Sequence, residues 1–312
     1  MIDRDVVFTS AGLRLRGSLS VSDSPERSPC VLMVTGSGRV DRNENQKKLP
    51  INVMGRLAGL LAQRGIASLR YDKRGVGASE GLFWDTGFYD NVLDASAALA
   101  YLRTHERVAD DKIFLLGHSE GAYIVTRVAT ETPGVAGVVL LSGGARLGEE
   151  ELRWQAEQVA GSLTGVNAWL VKLLRIDIIK AQRKQLEKIK RSNKDWYRTQ
   201  LVGKVNAKWM REFLAYDPAD DLRRIEVPVL AITGSKDIQV DPGNLERMEG
   251  LVAAPFESHV LPDVTHLLRS EAGPGGLSTY KKQVQKAIDP RVPDLIIAWL
   301  ERQIGSRAGP QS

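Results

Sequence analysis

Gly117-His118-Ser119-Glu120-Gly121 follows a segment that reads as a strand, Lys112 to Leu116, and precedes one that reads as a helix, Gly121 to Thr130. G-x-S-x-G between a strand and a helix is the pattern of a nucleophile elbow. The turn is sharp, the serine backbone is strained, and a Cβ at either flanking glycine would collide with a neighbouring element. Ser119 is therefore the candidate nucleophile. A second match, Gly77-Ala78-Ser79-Glu80-Gly81, lacks the context. Lys73 to Val76 separate it from its strand and no helix follows, so Ser79 is expected to be a loop residue.

A serine nucleophile needs a base and a group that orients the base. In an elbow of this type they follow in the order acid, then histidine, each just past a strand end. Val229 to Thr233 runs into Gly234-Ser235-Lys236-Asp237, which makes Asp237 the candidate acid. Phe256 to Leu261 runs into Pro262-Asp263-Val264-Thr265-His266, which makes His266 the candidate base. The chain has four histidines. His105 precedes the nucleophile at a helix end, His118 is adjacent to Ser119 and is expected to pack beside the site, and His259 lies inside a strand. Asp241 is the main competitor to Asp237, and Asp263 a weaker one. Acyl transfer also calls for N–H donors aimed at the developing oxyanion. The backbone N–H of Glu120 is one candidate. The other is that of Ser37 in Thr35-Gly36-Ser37-Gly38, with Gly38 second. The same glycines lack the G-x-x-x-x-G-K-[ST] spacing of a phosphate loop.

These residues demand a scaffold that brings several strand ends together. Val6 to Val21, split at Ala11-Gly12, reads as a β-hairpin. Cys30 to Val34 is a continuous apolar run of strand length, and Ile66 to Tyr71, Lys112 to Leu116, Val135 to Leu141, Val227 to Thr233 and Phe256 to Leu261 also read as strands. Leu49 to Arg64, Asn91 to Leu102, Gly121 to Thr130, Asn244 to Val252 and Val292 to Ile304 read as helices. The alternation predicts an α/β fold with a doubly wound, mostly parallel sheet, whose sites lie at the carboxyl ends of the strands.

The segment Arg146 to Tyr216 breaks the alternation. It carries 15 Lys+Arg against 8 Asp+Glu, a net of +7 in a chain whose total is +5, and four of the six tryptophans: Trp154, Trp169, Trp196 and Trp209. It has no comparable β pattern, and Trp169 to Lys190 is rich in helix formers. The expectation is a helical cap of residues 146–216 inserted into a core of residues 1–145 and 217–312, its tryptophans either lining an acyl pocket or packing the cap onto the core. Composition is otherwise ordinary, 43% hydrophobic and 26% charged, which excludes disordered and fibrous classes. No apolar run is long enough for a membrane span. Asp3 and Asp5 lie in an N-terminus without a long apolar stretch, so a cytoplasmic protein is expected. Cys30 is the single cysteine, so no intrachain disulfide forms. Neither nucleic acid nor a metal is expected.

On Gly117 to Gly121, Asp237, His266 and the segment Tyr71-Asp72-Lys73-Arg74-Gly75-Val76-Gly77-Ala78-Ser79, the sequence resembles the α/β-hydrolase superfamily over nearly its whole length. Gly36-Ser37-Gly38-Arg39-Val40-Asp41-Arg42-Asn43 is similar to the oxyanion loop of bacterial serine carboxylesterases with a helical cap. Thr35 stands where that family usually has histidine. The resemblance implies carboxylic-ester hydrolysis by Ser119, His266 and Asp237 without a cofactor, on a small acyl ester. An acyl-CoA thioesterase, a peptidase and a non-catalytic ligand-binding relative are the alternatives. Either a monomer or a homodimer is compatible with the sequence.

Overall fold

The computed structural model describes residues 2–22, 26–162, 177–199, 203–273 and 275–307. Strands β1 (Ile2–Ser10) and β2 (Leu13–Val21) form the expected antiparallel hairpin. Ala11 and Gly12 both have positive φ, which a two-residue turn between twisted strands requires. Strands β3 (Ser28–Val34), β4 (Ala67–Tyr71), β5 (Val108–His118), β6 (Gly137–Leu141), β7 (Val229–Gly234) and β8 (Phe256–Leu261) complete one eight-stranded sheet. Their order is β1-β2-β4-β3-β5-β6-β7-β8. Pairings are antiparallel from β1 to β4 and parallel from β4 to β8.

Both faces are covered at the centre of the parallel part, which explains the continuous apolar runs in β3, β5, β6 and β7; β4 (Ser68, Arg70) and the edge strand β8 (Glu257, Ser258, His259) carry polar residues. In β5, Ile113 and Leu115 point to one core while Phe114 and Leu116 point to the other. The first core holds α2 (Phe88–Thr104) and α3 (Glu120–Glu131); the second holds α1 (Val53–Gln63). The spacing predicts a helix from Leu49, but α1 begins at Val53. Leu49 and Pro50 pair with Asn45 and Gln46 as a small ribbon, and Asn52 is left-handed at φ 51°. Pro50 disfavours helical backbone at the residue before it.

Between β6 and β7 lie α4 (Gly148–Gly161), α5 (Ile178–Lys190), α6 (Ala207–Ala215) and α7 (Pro218–Leu222). The segment also contains an antiparallel ribbon, Trp196–Thr199 with Gly203–Asn206. That is a correction to the all-helical reading. The run Trp196-Tyr197-Arg198-Thr199 suits a pleated surface, and Lys204 lies over the Trp196 ring at 3.5 Å. Leu186, Ile189 and Leu214 form a small core of the insert's own, whereas Phe213 and Tyr216 belong to the main core. Trp169 and the start of the predicted 169–190 helix lie outside the described residues. Beyond β7 come α8 (Asn244–Glu249), on the first core, and α9 (Arg291–Arg307), on the second.

Candidate active site

The elbow is as tight as its glycines imply. A Cβ at Gly117 would sit 2.1 Å from the Gly121 carbonyl oxygen, and one at Gly121 2.0 Å from that of Val34. Ser119 has φ 54° and ψ −121°, a strained geometry costing about 1–3 kcal/mol that only a rigid surround maintains. Its N–H donates to the Leu141 carbonyl of β6 at 2.9 Å. Glu120 opens α3, so its N–H has no acceptor within the helix.

Asp237 and His266, 29 residues apart, meet past the ends of β7 and β8. His266 Nδ1 is 2.8 Å from Asp237 Oδ2 and 3.0 Å from Oδ1. Both side chains are buried. Asp237 Oδ1 also accepts the N–H groups of Gln239 (2.8 Å) and Val240 (2.9 Å). Burial pushes the Asp237 carboxyl up, but His266 and these N–H donors outweigh it and hold it below the ordinary value. With Nδ1 committed, Nε2 is the nitrogen left for other chemistry. His266 and Ser119 line one cavity of about 220 Å³, with Gly36, Ser37, Leu267 and Tyr280 among its walls.

The competitors are engaged elsewhere. Ser79 Oγ donates to the Asp72 carbonyl at 2.7 Å and accepts from the Arg16 N–H at 2.9 Å, a loop tie. His259 pairs with Glu257 at 2.9 Å on β8. Asp241 pairs with Arg146, and Asp263 with Lys236. His105 caps the end of α2. His118 is buried beside the site: its Nδ1 faces Glu44 Oε1 at 2.8 Å and its Nε2 the His266 carbonyl at 2.9 Å. Both partners are acceptors, so with Glu44 ionised only the imidazolium satisfies both. Burial pushes His118 down, but Glu44 and the His266 carbonyl hold it above its ordinary value.

Two residues that the sequence reading did not single out fix the loop after β3. Glu44 Oε1 accepts the Gly36 N–H at 2.7 Å. Lys73 Nζ donates to the Gly36 carbonyl at 2.6 Å. The Gly36–Ser37 peptide is trans, so the Ser37 N–H points away from Lys73. The Gly36 N–H is already taken, and Ser37, unlike Gly38, lines the cavity. Both residues lay in reach of motif reading: Glu44 directly follows the Gly36–Asn43 segment and Lys73 sits inside the Tyr71–Ser79 one.

The insert touches this end of the sheet. Trp209 Nε1 donates to Glu120 Oε1 at 2.5 Å, Lys208 pairs with Asp90, and the N–H of Asp241 donates to Glu151. Of the described insert tryptophans, Trp154, Trp196 and Trp209 do not line the Ser119 cavity. Trp209 stacks on Phe213 at 5.1 Å. Among the described residues no three His, Cys, Asp or Glu side chains gather as a metal site, and no helix is long and apolar enough to cross a membrane.

Residues 51–273, more than two thirds of the chain, match the Hydrolase_4 family, described as serine aminopeptidase, S33. The chain belongs to the Hydrolase_4 family. This Hydrolase_4 chain is 28% identical over 290 residues to the esterase EstD of Thermotoga maritima, covering 92% of its own length and 65% of that relative's. It thus spans just under two thirds of the curated relative it matches. Its fold is that of the α/β hydrolases. Est1E from Butyrivibrio proteoclasticus, solved with ferulic acid, superposes with a TM-score of 0.65 at 18% identity, covering 96% of this chain and 99% of that one. The α/β hydrolase GrgF from Penicillium sp. sh18 superposes with a TM-score of 0.66 at 17% identity, covering 98% and 100%.

Proposed function

We propose that this Hydrolase_4 chain is a serine hydrolase that cleaves carboxylic esters through an acyl-enzyme. Ser119 Oγ attacks the ester carbonyl, His266 takes its proton at Nε2 and returns it to the leaving alcohol, and Asp237 holds the imidazole tautomer. A water activated by His266 then releases the acid. The N–H groups of Ser37 and Glu120 hold the oxyanion in both steps. The observation that carries this reading is the buried Asp237–His266 pair opening onto the same cavity as a serine at φ 54°. Residues 146–216 act as a cap over that cavity, on the core of residues 1–145 and 217–312. At about 30 Å³ per water-sized group, 220 Å³ suits a short acyl chain.

The test is turnover of p-nitrophenyl esters of rising chain length by the wild type and by Ser119→Ala. Short esters should be hydrolysed fastest, and the variant should lose about 10⁴–10⁶-fold in kcat with its circular dichroism intact. Near-wild-type turnover by Ser119→Ala rejects the reading. The description of the matched family, serine aminopeptidase, favours one second reading, peptide-bond hydrolysis by the same residues. Faster cleavage of aminoacyl p-nitroanilides than of the matching esters selects it.

A further inference from the structure

Glu120 contributes a backbone N–H to the proposed oxyanion hole, and its side chain is wholly buried. Its Oε2 accepts Lys73 Nζ at 2.8 Å. Its Oε1 accepts Asn91 Nδ2 at 3.0 Å, from α2, and Trp209 Nε1 at 2.5 Å, from α6 of the insert. Lys73 is itself buried, with its ammonium between that carboxylate and the Gly36 carbonyl. A buried ion pair is a poor device for stability, because desolvation cancels much of the attraction. Here it joins the two peptides that carry the proposed oxyanion donors, one past β3 and one at the start of α3.

We propose that Lys73 and Glu120 form a positioning brace that sets the Ser37 and Glu120 N–H groups relative to each other, and that Trp209 ties this brace to the insert. Two effects follow from the geometry. The ammonium fixes the plane of the Gly36–Ser37 peptide and hence the direction of its N–H. A cation on the carbonyl also polarises the same peptide and strengthens the N–H as a donor. Displacing α6 removes one of the two uncharged side-chain donors to Glu120, so the seating of the insert is transmitted to the oxyanion donors. Lys73 and Trp209 act through other groups and need not touch substrate.

The proposal rests on the serine-hydrolase reading above, and one set of measurements separates the two. Wild type, Lys73→Met and Trp209→Phe are compared in kcat and KM on p-nitrophenyl acetate and in the Ki of a trifluoromethyl ketone, whose serine adduct carries an oxyanion. The wild type is also labelled with a fluorophosphonate. Removal of a direct oxyanion donor costs about 10²–10³-fold. Lys73→Met should therefore lose about 30–300-fold in kcat and the same factor in ketone affinity, with KM within about twofold. Trp209→Phe keeps the ring stacked on Phe213 and should lose about 3–10-fold in both. A fall in kcat without a matching loss of ketone affinity, a change confined to KM, or kcat within about twofold of wild type in both variants overturns the brace. If Lys73→Met does not fold, Trp209→Phe decides alone on the same criteria. A wild type that is not labelled at Ser119 overturns the serine reading and the brace with it; a labelled wild type with unaffected variants overturns the brace alone.

Discussion

Ser119, His266 and Asp237 are assigned as one unit, so their losses should not add. His266→Ala is expected to cost about as much in kcat as Ser119→Ala, and the double variant little more. Asp237→Asn should cost less, because it mainly fixes the tautomer. Steady-state kinetics of the three variants and the double check this; full activity in Asp237→Asn rejects that acid. A second prediction concerns His118. Its native value is raised, so its contribution to stability is complete below about pH 6.5, the unfolded value, and is lost as pH rises through the higher native one. In Glu44→Gln the acceptor oxygen stays but the charge goes, and this decline should flatten. Urea unfolding across neutral and mildly alkaline pH measures it, and identical slopes in the two proteins contradict it. The three residues proposed as a triad could be read from the sequence because each lies within five residues of a strand end and the histidines are few. Glu44 and Lys73 sit in segments a motif reading marks, but their roles were not read from it, because they come from contacts with Gly36, His118 and Glu120 that no periodicity encodes.

The elements were legible where burial sets the pattern. Residues 30–34 of β3 and 113–116 of β5 are apolar without a break because both faces are covered there, and the elbow glycines announce a close backbone approach in the site. Legibility fell where a local bond or turn overrides periodicity, as at Pro50 and Asn52 before α1, and in the ribbon at Trp196, whose strands of four residues each are too short to show an alternating pattern. At element scale, Asn206 is one of the residues that tie the insert to the core. Asn206 Oδ1 caps α6 by accepting the Trp209 N–H at 2.9 Å, while its Nδ2 donates to the carbonyls of Phe83 (2.9 Å) and Thr86 (2.7 Å). Asn206→Ala should lower unfolding stability by about 1–3 kcal/mol. Asn206→Asp keeps the cap but loses the two donors, and should fall between. Denaturant curves for both variants that coincide with wild type contradict this link.

For the whole molecule, the question is what the basic insert does. Arg146 pairs with Asp241, Lys190 with Glu149 and Glu187, and Lys208 with Asp90, while Lys188 and Lys204 lie over aromatic rings. Among the described residues, no Lys or Arg lines the Ser119 cavity. The expectation is that the charge serves packing and solvation, so that kcat/KM for an anionic and a neutral ester shows the same flat response to added salt. A steep fall for the anionic ester alone contradicts this and makes the insert a steering surface. Underlying all of these expectations is the claim that one strained serine carries the acyl group. Labelling with a fluorophosphonate, followed by mass spectrometry of the digested protein, addresses it most directly. A single adduct on the peptide containing Ser119, absent in Ser119→Ala, is the expected result; an adduct on Ser79, or undiminished labelling of Ser119→Ala, contradicts the account.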